Sequence, residues 1–178
     1  MYFSSFPIIQ YDPLGNGNPV DMTNLMRRVS VRAKIKQNAS MFDTYTVKSG
    51  ETPESLAYKL YGDAKYHWVI LLFNDITDRY LQWPLTERQF DAFLLEKYTT
   101  RAELDSVHHY EITQESGDGT VKIDIGTSNA DYPSATPITN YEFEEANQNE
   151  LRQIRLLDPR YLDQFVKEFK NLMKEAVI

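Results

Sequence analysis

At 178 residues the chain is long enough for one domain with its own core, or for a small module with substantial extensions. It contains no cysteine, which excludes a disulfide-stapled module and a cysteine-type zinc site. Aromatics at 13%, with twelve Tyr and nine Phe, exclude wholesale disorder. The net charge of −7 is unevenly placed: residues 102–150 hold eleven acidic side chains against Lys122 alone, while Arg27, Arg28, Arg32, Lys34 and Lys36 form a basic run too short to suit a nucleic-acid partner.

The start of the chain lacks the basic, then apolar, pattern of a signal peptide. No apolar stretch approaches the roughly 18 residues needed to cross a bilayer. Synthesis and folding in a cytoplasm, with no membrane partner, is the expectation. Residues 1–40 read as an arm carrying Pro and Gly, with a short helix capped near Thr23 and a strand-like alternation from Val29 to Ile35. Its Tyr2, Phe3, Phe6, Ile8, Ile9 and Tyr11 would be an aggregation hazard if left loose, so they are expected to pack on the chain's own body or on another subunit.

The section 41–98 holds the most informative pattern. Tyr45 and Val47 alternate with Thr46 and Lys48 as in a half-buried strand, and Ser49-Gly50 supplies a turn. Thr52 is a good N-cap, Pro53 stands where a missing N–H costs nothing, and Glu54 favours the positive end of the helix. Leu56, Ala57 and Leu60 form a stripe, Gly62 closes the helix, and Asp63 caps the next. That second helix carries Trp68, Val69, Leu71, Leu72 and Phe73 and stops at Asn74. It is too apolar for a freely exposed surface helix, so more than the usual single face must be covered. A third helix starts at a capping box, Thr86 with Gln89, and presents Phe90, Phe93, Leu94, Lys97 and Tyr98.

The residues Tyr45, Val47, Gly50, Thr52, Leu56, Ala57, Tyr61, Gly62 and Asn74 resemble the motif positions of the LysM module, with Glu51 where Asp is usual and Pro53 where Leu is usual. The resemblance implies two strands packed on two helices. It also implies a groove for N-acetylglucosamine-containing glycans formed by Gly50, Glu51, Thr52 and Pro53 together with the loop at Asn74. The chain departs from that family after Asn74, where Asp75 to Leu85 has none of the usual Gly-x-x-Leu turn into a second strand. This departure argues against sugar binding.

Residues 99–140 read as a hairpin and a loop. Tyr110 and Ile112 face Val121, Ile123 and Ile125 across a turn at Ser116 to Gly119, and Asn129 to Asn140 is expected to be loop. Residues 141–178 read as helical. Leu151, Ile154 and Leu157 form a short stripe, Asp158 caps a new helix opened by Pro159, and Leu157 staples onto Leu162. Phe165, Val166, Phe169, Leu172, Met173 and Ala176 continue one broad face, wide enough for a partner's groove as well as a core. The fold class is therefore α+β: a LysM-like βαα module with an N-terminal arm, a β-hairpin section and C-terminal helices.

No catalytic constellation, cofactor loop or metal set emerges. His108 and His109 are adjacent in a strand and so should point to opposite faces, and His67 sits in an apolar helix. Glu144-Glu145 lie in an acidic stretch before a helix with no catalytic frame around them. Trp83 is either an exposed stacking residue or a plug for the module's open side.

Beyond the module, several runs resemble the baseplate wedge protein 53 family of T4-like contractile-tailed phages. They are Tyr61-Gly62-Asp63, Tyr66 to Leu71, Asn74-Asp75, Tyr80, Trp83, Lys97-Tyr98, and Asn149 to Arg155 with the helix that follows. That resemblance implies a non-enzymatic structural subunit of the virion tail baseplate, joining wedge subunits to one another and toward the central hub through protein contacts. The residues placed at its interfaces are Phe3, Phe6 and Ile9 in the arm, Arg152 and Arg155 as polar anchors, and Phe165 and Phe169 as apolar anchors. The alternative is a glycan-binding LysM protein.

Overall fold

A computed structural model gives the fold and describes residues 3–26, 29, 31, 39–114 and 121–175. The chain is α+β and divides into two compact units, one of residues 1–83 with 153–178 and one of residues 84–152. The second unit thus interrupts the first in sequence.

The first unit opens with a 3₁₀ turn, Phe3–Ser5, and a hairpin of β1, Ile8–Tyr11, and β2, Val20–Thr23. Thr23, read above as a helix cap, ends β2 and pairs with Ile8. The expected strand from Val29 to Ile35 lies mostly outside the described residues. Next come β3, Phe42–Thr46, then α1, Pro53–Tyr61, then α2, His67–Phe73, and the single turn α3, Arg79–Gln82. The local signals act as expected. Thr52 accepts from the Ser55 N–H and Ser55 returns the bond, Pro53 opens α1, and Gly62 closes it with φ 75°.

The sheet of this unit has β3 as one strand, and its partner does not follow Asn74. It is β7, Gln153–Leu157, which runs antiparallel to β3 with Thr44 opposite Arg155 and Tyr45 opposite Ile154. The helical stripe read through Ile154 and Leu157 is therefore corrected: 153–157 is extended. Ile154 and Leu156 are buried while Gln153 and Arg155 are exposed, the period-two pattern of a strand with one covered face. The last helix, α7, Pro159–Glu175, follows at once. Asp158 caps it by accepting from the Arg160 N–H, and Leu157 and Leu162 share one cluster, as a staple requires.

Two apolar clusters fill this unit. One joins Val47, Leu56, Ala57, Ile70, Trp83, Ile154 and Leu156. The other joins Trp68, Val69, Phe73, Leu157, Leu162, Phe169 and Met173. Helix α2 contributes to both, which explains why it is apolar on more than one side: its covering is supplied by the chain itself.

The second unit contains α4, Glu87–Lys97, the turn α5, Arg101–Leu104, and a three-stranded sheet in the order β5-β4-β6. Its strands are β4, Val107–Thr113, β5, Lys122–Asp124, and β6, Thr136–Thr139. Ile112 faces Ile123 across the β4–β5 pair as the alternation predicts, and the expected turn at Ser116–Gly119 lies outside the described residues. Thr136–Thr139, read as loop, pairs instead with β4. Helix α6, Asn140–Arg152, completes the unit, and Glu144 and Glu145 lie within it and not before it as expected. A pairing irregularity between Val107 and His109 upsets the strict alternation of β4. As a result His108 and His109 meet, with ring centres 5.1 Å apart and their Nδ1 atoms at 2.9 Å, instead of facing opposite ways.

Candidate assembly interface

The residues proposed for a glycan groove are engaged in holding the first unit together. Gly50 adopts φ 84°, a conformation that favours glycine, and so turns the chain from β3 toward α1. The Glu51 carboxylate accepts from the Tyr45 hydroxyl at 2.8–2.9 Å and from the Lys48 N–H at 2.9 Å, with Lys59 Nζ at 3.5 Å. Burial pushes the Glu51 carboxyl upward, but the Lys48 N–H, the Tyr45 hydroxyl and the Lys59 charge outweigh it, and the net shift is downward. Thr52 is spent on the capping box and Pro53 is buried. Trp83 is 8% exposed and donates its indole N–H to the Glu51 carbonyl at 2.9 Å, which makes it a plug rather than a stacking platform.

Asn74 has the most specific geometry of the group. The Asp158 N–H donates to the Met41 carbonyl, so the hydrogen-bonded pairs of the β3–β7 ladder fall at Asp43/Leu156 and Tyr45/Ile154. The N–H and C=O of Arg155 therefore point to the outer edge of β7. There the Asn74 carboxamide takes both, accepting from the Arg155 N–H and donating to its carbonyl, each at 2.8 Å, with a third bond to the Ile70 carbonyl. One side chain stands in for the missing neighbour strand.

The surface of the first unit is different in character where the arm lies. In the β1–β2 register, Ile9 faces Met22 and Tyr11 faces Val20, while Ile8 faces Thr23 and Gln10 faces Asp21. Residues directly opposite share a face, so one side of the hairpin is wholly apolar and the other largely polar. Every residue of both strands is exposed, with Tyr11 at 53% and Val20 at 49%. The connecting loop is ordered by Asp12, whose carboxylate accepts from the N–H groups of Gly17 at 2.6 Å and Leu14 at 3.1 Å. The Gly17 bond leads the effects that hold the Asp12 carboxyl below its usual range. The sequence placed Ile9 here. It missed Val20 and Met22, although Val20-Asp21-Met22-Thr23 already alternates apolar with polar.

The remaining candidates fall in three settings. Phe3 is 63% exposed and lies 5.6 Å from Phe6, which packs half-buried on the second cluster. Arg152 ends α6 and donates to the Asn149 side chain at 2.6 Å; Arg155 is exposed on β7. Phe169 is 1% exposed, with its ring 4.5 Å from that of Trp68, and Phe165 is half-buried 4.6 Å from Phe73. The Phe169 ring belongs to the interior of the first unit, and Phe165 packs partly exposed against the same cluster.

Among the described residues, no group of three or more His, Asp or Glu could hold a metal ion, and no helix is long and apolar enough to cross a membrane. The family model described as Base plate wedge protein 53 matches residues 1–133. The chain is also 24% identical to the Baseplate wedge protein gp53 of Enterobacteria phage T4 over 191 residues, covering 99% of this chain and 97% of that relative.

Proposed function

The chain belongs to the base plate wedge protein 53 family, and from that membership we propose that it joins wedge subunits to one another and toward the central hub of a contractile tail. Membership itself carries the coarser statement of a structural protein of the phage tail baseplate, in contact with other baseplate components. The finer reading rests on the arm. A two-stranded ribbon with Ile9, Tyr11, Val20 and Met22 on one exposed face has no core of its own to join, and such a face is the usual mark of a protein–protein contact. Phe3 and Phe6 extend this contact, and Arg152 and Arg155 act as polar anchors elsewhere on the surface. Phe165 and Phe169 contribute indirectly by holding α7 in place.

In this reading β3, α1, α2 and β7 form a LysM-like frame used as scaffold, with its sheet closed by a strand from far along the chain. The engagement of Glu51, Thr52 and Asn74 in structural hydrogen bonds supports a scaffold over a sugar groove.

The test is a pull-down of tail subunits from a phage lysate, run in parallel on insoluble peptidoglycan, comparing the wild type with Val20→Asp/Met22→Asp. The wild type is expected to retain tail subunits and the double variant to lose them while keeping its circular dichroism spectrum. Retention on peptidoglycan without tail subunits overturns the proposal in favour of glycan binding.

A further inference from the structure

The first unit carries a basic cleft apart from the apolar face of the arm. It lies between the 3₁₀ turn Phe3–Ser5 and the last helix, has a volume of about 310 Å³, and is lined by Ser4, Ser5, Phe6, Pro7, Lys170 and Lys174. Lys170 and Lys174 are one helical turn apart, and Lys167 continues the same stripe. The helix offers Lys170 no counter-charge: the positions three and four residues away are Val166, Lys167, Met173 and Lys174. Among the described residues, neither Lys170 nor Lys174 forms an ion pair. Like charges at this spacing repel one another, in a chain with 26 acidic groups against 19 basic ones.

Lys174 stands in the last turn, where the helix dipole favours a cation, but Lys170 is a full turn earlier. The opposite wall supplies two seryl residues and, at Phe6 and Pro7, an apolar edge fixed by the packing of Phe6 on the second cluster.

We propose that this cleft docks an acidic polypeptide segment of a neighbouring subunit, with a carboxylate between Lys170 and Lys174 and an adjoining apolar side chain against Phe6 and Pro7. Charge complementarity decides the occupant: two ammonium groups with no ion-pair partner among the described residues select an anion, and the apolar edge selects one carried on a side chain beside a hydrophobic neighbour. The proposal rests on the assembly role given above and names the chemistry of one contact within it.

The probe is the synthetic peptide acetyl-Asp-Glu-Phe-Asp-Glu-amide, titrated into the isotope-labelled full chain and followed by backbone amide shifts. The expected result is movement of the Ser4, Ser5 and Phe6 amides, with affinity weakening as salt rises from about 50 to about 300 mM. A loss of roughly tenfold or more is expected in K170E/K174E but not in K167E, whose lysine lies outside the cleft. No shift at millimolar peptide overturns the proposal, as does equal or tighter binding of inorganic phosphate or a short oligonucleotide at the same amides. In the lysate pull-down, K170E/K174E is expected to lose at least one tail subunit that the wild type retains. If the wild type recruits tail subunits and this variant recruits them equally, the cleft assignment falls and the assembly role stands. If the wild type recruits none, the assembly role itself falls.

Discussion

In the first unit, α2 carries Trp68, Val69 and Phe73 into one apolar cluster and Ile70 into another. The interior of the second unit instead includes Glu144, Gln148 and His109 beside Phe90, Leu94 and Ala135. There Glu144, 5% exposed, accepts from Lys97 Nζ at 2.5 Å and from the Tyr98 hydroxyl at 3.0 Å, and Gln148 accepts from the Leu85 N–H at 2.9 Å. Burial of apolar area tolerates small displacements, whereas buried polar groups need each partner in place. The first unit should therefore respond most to lost volume and the second to lost partners.

Three measurements can break or sharpen that contrast. The largest effect is expected from Phe169→Ala, which opens a cavity against Trp68 and should cost about 3–5 kcal/mol. Hydrogen exchange should show α1, α2 and β7 losing protection while α4 and α6 keep theirs; equal loss in both would mean that the units do not behave separately.

Next in size is Asn74→Ala. It removes three hydrogen bonds, two of them to the Arg155 backbone at the outer edge of β7, which should cost about 2–3 kcal/mol. The amides of 154–156 should exchange faster, and retention of their protection would show that water replaces the carboxamide at no cost.

A smaller loss, about 1–2 kcal/mol, is expected in the second unit from Glu144→Gln, since Lys97 is half-exposed and solvent screens the pair. Its signature is alkaline. The hydrogen bond to Glu144 leads the effects that raise the Lys97 ammonium above its ordinary 10.5, and burial leads those that raise the Tyr98 phenol above 10.0. A raised folded-state value means that this stabilisation is complete below those ordinary values and is lost as pH rises through the folded ones. Denaturant midpoints of the second unit should thus fall above pH 10 in the wild type, and fall less in Glu144→Gln. An identical pH profile in the variant would show that the pair contributes nothing.

Much of the local structure was readable from single residues. Thr52, Gly62, Thr86 and Asp158 each cap where expected, because a cap depends on hydrogen bonds within a few residues. The burial of Trp68 and Phe73 was also readable, since an all-round apolar helix must be covered. The second strand was misread. Ile154 and Leu157 fit a helical spacing, and the competing alternation of Ile154 and Leu156 is too short to win without knowing that β3 has a free edge. The meeting of His108 and His109 was likewise hidden, because an irregularity in pairing depends on the partner strand and not on the residues it displaces.

For the candidate surfaces the division is sharper. The sequence named Phe3, Phe6 and Ile9 as arm residues but could not say that Val20 and Met22 complete the face of Ile9, since opposition across a hairpin depends on register.

By itself, then, the sequence determined the α+β class, the caps and the apolar segments, which follow from residue type and short-range spacing, and it pointed to the family through resemblance alone. Only the tertiary structure decided that β3 is completed by a strand more than a hundred residues later, that Asn74 seals that strand's outer edge, and that Phe169 is interior. Each of these depends on contacts between distant segments, for which no local pattern carries the partner's address.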